Sequence, residues 1–581
     1  HFSTGVAADW RVPFPAVLPA SGIEKEEAEK QSLASPAANA GKQDTLGGKK
    51  VSEADLRPLF IQRLQQLLNK TTNGLYTVAV GDMKVDVLAS SISLHDVELQ
   101  PDAKNRASLQ AAGLLPSNVF TISFQRLDIE GVNLDDALTS KTMDYKTIRL
   151  VNPVIRIDRF RSKEKKPEGD FSQRFLKELE KLSIKNLSIE GGSIVVNDKQ
   201  KGSTKTLSNV QVRMTDILLD SSTRNDKSRF LFAQNARIHF GDYSSTSKDG
   251  LYRFRIGNAD VFATEKRVVL KNLSFKPTLS REAFASKHKV AKEMYTLLLP
   301  QLTITGADWW SALNEEEVMA SAIETNGGSL AIYLNREKPP ANKMGNFPSQ
   351  LLQKLPVKLA VNKAAIRNLD LQYEEYNPLS KQNGTLYFDN ASIHITNMHN
   401  GTGNGPMEMK GTAQFMHSIP IEASFRFDMA RAKSGAFTAS LRADKDFDGS
   451  LLNSFTVPLG MMKVEKGSLQ KLQVDMQGDE TGAKGEVEVL YQDLKLAMLE
   501  KDKGEAALDK KSVTSLFANL FVLKKSNPKK DEAPRKEPAQ FKRDPTGGFF
   551  MLVWKTALTG ILKTIGAPEK IAYKKPKPAE K

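Results

Sequence analysis

One pattern, Asn/Asp followed by apolar, polar and apolar residues, returns eight times and constrains the fold more than any other feature of this chain. It reads Asp96-Val-Glu-Leu99, Asn186-Leu-Ser-Ile189, Asn209-Val-Gln-Val212, Asn235-Ala-Arg-Ile238, Asn258-Ala-Asp-Val261, Asn272-Leu-Ser-Phe275, Asn368-Leu-Asp-Leu371 and Asn390-Ala-Ser-Ile393. From 186 to 258 the Asn positions (186, 209, 235, 258) step by 23, 26 and 23 residues. A strand of about ten residues, a turn and a returning strand need roughly that length. Each period is therefore expected to be one hairpin, with Asn or Asp entering its strand from a turn or bulge. Such periods also suit leucine-rich repeats and parallel β-helices. The LxxLxLxxN run of the first does not recur, and uneven strands broken by helices do not suit the stacked coils of the second.

The flanking texture agrees. Leu75-Tyr-Thr-Val-Ala-Val, Phe254-Arg-Ile, Ile393-His-Ile, Phe425-Arg-Phe and Val487-Glu-Val alternate apolar and polar residues. Alternation makes one greasy and one wet face, the signature of an antiparallel sheet covered on one side. The expected fold is mainly β: an elongated, curved antiparallel sheet of repeated hairpins forming an apolar groove, with a few short helices and a C-terminal helix. Residues 1–51, rich in Ala, Ser, Pro, Lys and Glu, read as a disordered linker. An amphipathic helix follows over 52–74, opened by a capping-box pattern at Ser52-Glu53-Ala54-Asp55 and closed by Asn73-Gly74. The β-groove region spans 75–500, interrupted by helices expected at Phe171–Leu182, Phe284–Leu299, Trp309–Ala322 and Pro348–Leu355. Beyond it come a helical segment (501–523), a basic Pro/Lys-rich linker (524–546), an apolar helix (547–567) and a basic tail (568–581).

Little catalytic chemistry is on offer. The chain has no cysteine, so thiolate metal sites, disulfides and cysteine nucleophiles are excluded. Its seven His form no HxxxH or HExxH pair, and no phosphate-cradling or nucleophile-elbow motif is present. No cofactor and no metal are expected. Glu374-Glu375 and Asp135-Asp136 read as solvated charges, since neighbours in a strand point to opposite faces. His394 and His399 read as surface residues flanking a flexible turn, and Trp309-Trp310 as a core plug, the other reading being a membrane-interface anchor. Of the net charge of +15, +9 lies between Lys524 and Lys581, where 15 basic and 6 acidic residues fall. A nucleic-acid reader spreads its charge over a folded face with interleaved aromatics, so nucleic acid is not an expected partner.

Five stretches carry a resemblance. Leu182-Ser-Ile-Lys-Asn-Leu-Ser-Ile-Glu-Gly-Gly-Ser-Ile-Val-Val196 and Lys363-Ala-Ala-Ile-Arg-Asn-Leu-Asp-Leu-Gln-Tyr373 resemble the strand unit of AsmA-like proteins. The opening at Asn73–Val85 and Ser93–Asp102, and the closing Phe549–Gly566, resemble those of large AsmA/TamB-type envelope members from Bacteroidetes-like bacteria. The resemblance implies a curved sheet with a lipid-lined groove in the periplasm or cell envelope, anchored to the inner membrane by a segment preceding His1.

The expected function is therefore non-enzymatic: lipid is bound or conducted along the groove, in support of outer-membrane lipid homeostasis or assembly. The partners are a phospholipid or other acyl lipid and an anionic membrane surface, with other envelope proteins beside them. Burying a CH₂ is worth ~0.8 kcal/mol, so a 16-carbon chain stripped into water would cost roughly 12 kcal/mol that a continuous apolar path removes. Candidate groove residues are Leu182, Ile184, Leu187, Ile189, Ile194 and Val196, with Leu369, Leu371, Ile393 and Ile395 in later repeats. Which alternate set faces the groove stays open, because a single bulge flips the register. Residues Phe549, Phe550, Leu552, Val553, Trp554, Lys555 and Lys563 are the candidates for membrane contact, the other reading being a helix that plugs the groove. The rival functions are an envelope scaffold with a closed β core and no cargo, and a carbohydrate-active β-solenoid, for which no converging carboxylates are evident.

Overall fold

Alternating sequences need lateral partners, and here nearly all of them find these in chain order. The computed structural model describes residues 53–569 and 572, apart from 87, 134–139, 161–179, 200–201, 224–225, 227, 248, 309–316, 356, 402–404, 501–508 and 512–523. The expected linker over 1–51, the Trp doublet, most of the 501–523 segment, nearly all of the basic tail and the Phe171 helix before 180 lie outside the described residues.

Helix α1 (Glu53–Thr72) leads into β1 (Tyr76–Asp86) and β2 (Ser91–Pro101); after α2 (Ala103–Ala111) comes β3 (Asn118–Glu130). Strands β4 (Thr142–Val151) and β5 (Val154–Arg159) share the far edge of β3 and both run parallel to β6 (Lys181–Asp198). A meander follows through β7 (Ser203–Leu219), β8 (Asn235–Thr246), β9 (Tyr252–Phe262) and β10 (Arg267–Pro277). Helix α3 (Arg281–Ser286) precedes β11 (Glu293–Thr305), whose far edge is shared by β12 (Glu317–Asn326) and β13 (Ser329–Asn335). Across α4 (Pro348–Gln353), these two run parallel to β14 (Lys358–Asn377). Antiparallel pairing resumes with β15 (Gln382–His399), β16 (Met407–Phe415), β17 (Ile419–Phe427) and β18 (Phe437–Ala443). The short β19 (Phe447–Asp448) and helix α5 (Asn453–Gly460) lead to β20 (Met462–Asp479) and β21 (Gly482–Glu500). The last strands, β22 (Asp509–Lys511) and β23 (Lys536–Lys542), both pair with β21, and α6 (Phe549–Ile565) closes the chain. All 23 strands among the described residues belong to one mixed, mostly antiparallel sheet.

The two parallel junctions depart from a pure run of hairpins, and they are copies of each other. Strand pair β4/β5 breaks at Asn152-Pro153, and β12/β13 at Gly327-Gly328. In the strand that follows each, a left-handed residue stands at the same register, Gly191 (φ 65°) in β6 and Asn368 (φ 53°) in β14. The next strands match too: Asn209 and Asp216 in β7 have Asn390 and Asn397 as counterparts in β15, all at positive φ. The unit β3–β7 thus recurs as β11–β15, about 175–180 residues on, a longer internal repeat than the hairpin period.

At five of its eight sites the Asn/Asp motif marks a bend inside a strand rather than a hairpin turn, and at Asn209, Asn368 and Asn390 the register shifts as at a bulge. Asp96, Asn209, Asn272, Asn368 and Asn390 sit mid-strand at φ between 49° and 54°, a conformation in which Asn and Asp are favoured over other side chains. Opposite such Asn and Asp residues, neighbouring strands place glycine or a hydrogen-bonding partner. Gly81 faces Asp96, Gln125 faces Asn152, Gly257 faces Asn272, and Gly241 faces Asn258. Asn152 donates to Gln125 at 2.9 Å and Asn368 to Asn326 at 2.8 Å. Together they form a crease across the strands, and on passing it the buried set changes parity: Ile92 and Leu94 give way to Val97 in β2.

Two of the expected helices are strand in part. Residues Phe284–Leu299 form α3 and then β11, where Leu297-Leu-Leu imitates helical spacing because Leu298 lies exposed on the outer face. From 317 the Trp309–Ala322 segment is β12, where small residues, Ala320, Ser321 and Ala322, leave little alternation to read. Pro348–Leu355 is a helix to Gln353. The expected 524–546 linker is a docked segment: Asn527 and Tyr491 exchange backbone hydrogen bonds of 2.9 and 3.0 Å, and β23 lies within it.

Candidate functional site

The six groove candidates in β6 all belong to one buried apolar cluster. Cross-strand pairs Ile184–Ile217, Leu187–Met214, Ile189–Val212 and Ile194–Leu207 line it. Two kinks make this possible. Asp216 lies beside the step from Ile184 to Leu187, and Gly191 lies in the step from Ile189 to Ile194, so both even and odd positions reach the same face. The second unit repeats the arrangement with Ala364–Ile395, Ile366–Ile393, Leu369–Ala391 and Leu371–Phe388. Leu371 stands in a row that crosses five strands, Leu297–Leu330–Leu371–Phe388–Phe415. Leu182, Leu187, Ile189, Leu371, Ile393 and Ile395 are only partly buried, whereas Ile184, Ile194, Val196 and Leu369 are buried.

On the other face, the row Arg426–Thr438–Gln477–Lys484–Gln540 borders a cavity of about 860 Å³ that Phe437, Ala483 and Phe541 also line. One register position away, Phe427, Phe437, Ala483 and Phe541 are buried. Apolar and polar side chains therefore alternate along the same strands.

Helix α6 lies on the apolar face at the C-terminal end. Its Phe549, Leu552 and Val553 are buried with Phe425, Phe427 and Phe437 of the sheet, and the Phe549 ring centroid is 4.9 Å from that of Phe437. Gly560 permits close approach: a Cβ there would stand 2.5 Å from Val487. Phe550, Met551 and Trp554 remain 64%, 38% and 43% exposed. Phe550 stands edge-on to Phe425 and Trp554 to Phe455 of α5, so each is packed on one side and uncovered on the other. Lys563 is committed elsewhere: its ammonium donates to Pro538 O at 2.9 Å and pairs with Glu569 at 3.4 Å.

A polar group closes this end. Glu375, expected as a solvated charge, is only 6% exposed. Arg336 Nη1 donates to its Oε1 at 2.7 Å, and the Tyr373 hydroxyl to its Oε2 at 2.6 Å. Burial, and then the Glu375 charge, push the Tyr373 phenol well above its ordinary value. Lys343 pairs with Glu293 in the same row of the sheet. Burial pushes the Tyr252 phenol up to about 12, and Tyr295 is raised for the same reason. Lys555 reaches this group from α6: burial lowers its pKa, Arg336 lowers it further, and Glu375 opposes.

Hydrogen bonds to the eight-residue α5 require a closed shape: Asn377 of β14 donates to its Pro458 O at 2.8 Å, while its Asn453 donates to Val464 O of β20 at 2.9 Å. At about 4.8 Å per strand, β14 and β20 would lie roughly 24 Å apart in a flat sheet. The sheet therefore curls until β14 approaches β20 across α5.

His399 is buried, not on the surface: its Nδ1 lies 2.9 Å from Gly401 O, so the ring fastens the loop it was expected to flank. Among the described residues no group of His, Asp and Glu is placed to hold a metal, and no helix is long and apolar enough to cross a membrane. No family model matches this chain, and a search of curated proteins finds no significant relative.

Proposed function

We propose that this chain is a non-enzymatic lipid-binding protein whose creased sheet shelters acyl chains of a phospholipid or other acyl lipid. The observation that carries the reading is the apolar face, which persists through both units with side chains such as Ile189 and Leu371 only partly covered. A partly covered apolar face of this extent marks a ligand or interaction surface. The AsmA-like resemblance of residues 182–196 and 363–373 supports a periplasmic, envelope setting and a role in lipid homeostasis or assembly. A closed scaffold without cargo is favoured at one end only, where α6 fills the concavity.

The test is mass spectrometry of organic extracts of the purified chain, with an Ile189→Asp/Leu371→Asp variant beside it. Stoichiometric lipid in the parent, lost from a variant that keeps its β-type circular dichroism, is the expected outcome. Absence of lipid from the parent removes the reading. A variant that unfolds, as buried unpaired carboxylates costing several kcal/mol would make it, favours the closed scaffold.

A further inference from the structure

We propose that the C-terminal end of the trough selects anionic amphiphiles, with Lys555 as the residue that meets the head group; this rests on the lipid-binding reading above. Helix α6 is apolar nearly all round, which suits a helix covered on every side. Yet Phe550, Met551 and Trp554 are left open. Lys555 borders this stripe, one turn after Met551. Lys555 is half-buried, and among the described residues no carboxylate lies within ion-pair reach of it. The nearby Glu375 is already engaged by Arg336 and Tyr373, and the remaining charge facing Lys555 is the repelling guanidinium of Arg336. Helix α5, which also packs here, carries no ionisable side chain.

A half-buried cation with no carboxylate partner, at the end of an exposed apolar stripe, matches one kind of occupant. That occupant has an acyl chain along Phe550 and Trp554 and a net negative head at Lys555. A zwitterionic head would bring a second positive charge into the same space. The first unit lacks the device: at the positions of Tyr373 and Glu375 it has Val196 and Asp198, with Val196 part of the apolar lining.

The purified full chain is incubated separately with vesicles of phosphatidylglycerol and of phosphatidylcholine bearing identical acyl chains, then re-isolated, and its bound lipid is quantified. The parent is expected to retain about tenfold more phosphatidylglycerol, the scale of one charge-assisted hydrogen bond. Lys555→Met should equalise the two without reducing phosphatidylcholine retention, and Lys555→Arg should keep the preference. Circular dichroism identifies any misfolded variant, with Lys555→Gln as its replacement. Equal retention by the parent, or a preference that survives Lys555→Met, overturns the selectivity while leaving the trough intact. Retention of neither lipid overturns the lipid-binding reading and the selectivity together.

Discussion

Asn272 shows how a single residue shapes the sheet. At φ 54° it turns β10 while the register with β9 continues unbroken on both sides, and the room for the turn comes from Gly257 opposite. A Cβ on Gly257 would stand 3.0 Å from that of Asn272, and one on Gly81 would stand 3.0 Å from that of Asp96, the matching pair in β1 and β2. Gly257→Ala is expected to lose about 1–2 kcal/mol through overpacking, and Asn272→Val a similar amount through left-handed strain. Combined with Asn272→Gly, which removes the clashing Cβ, Gly257→Ala should recover most of its loss, a coupling that urea midpoints of the three variants would read. Additive losses would mean that the pair does not set the bend. The repeating Asn/Asp was legible in sequence because these residues tolerate positive φ. The crease was not legible, because Gly81, Gln125 and Gly257 fill the alternate strands and carry no shared letter pattern.

At the scale of elements, the ends of the sheet need explanation, since a free edge invites pairing with another chain. Helix α1 covers β1 with one side chain. The Gln65 carboxamide accepts from Val78 N–H at 3.0 Å and donates to Tyr76 O at 2.9 Å, imitating a neighbouring strand. Helix α6 does the same for β23, where Thr559 Oγ1 accepts from Gln540 N–H at 3.2 Å and Lys563 donates to Pro538 O. Pro538, lacking an N–H, suits such an edge. Removing the β1 cover with Gln65→Ala is expected to cost about 1–2 kcal/mol and to bring concentration-dependent self-association in size-exclusion chromatography. A variant that stays monomeric would show that Gln65 is dispensable to the edge. The 52–74 and 547–567 helices could be read from their apolar spacing, and α6 was weighed as a groove plug. Their second duty as edge covers depends on which strands lie last in the sheet, which pairing decides and periodicity does not. The same holds for β23, whose Lys- and Pro-rich surroundings look like a linker until β21 offers it a partner.

Across the whole molecule, duplication makes the trough testable as a path. Ile189 in β6 and Ile366 in β14 occupy the same register in the two units: each precedes the crease residue by two, Gly191 or Asn368, and each pairs with an apolar residue, Val212 or Ile393. Both are partly buried. The units differ in what fills them, since only the second lies next to α5 and α6. If lipid moves through both in series, an Asp at either site interrupts one shared route. Transfer of a fluorescent phospholipid between donor and acceptor vesicles should then fall to a similar extent in Ile189→Asp and Ile366→Asp, with no further loss in the double variant. Separate storage sites predict another pattern, in which each single variant removes part of the bound lipid and the double removes the sum. Near-equal single effects without additivity would identify the two units as consecutive lengths of one conduit, and additive effects would reduce the trough to two containers side by side.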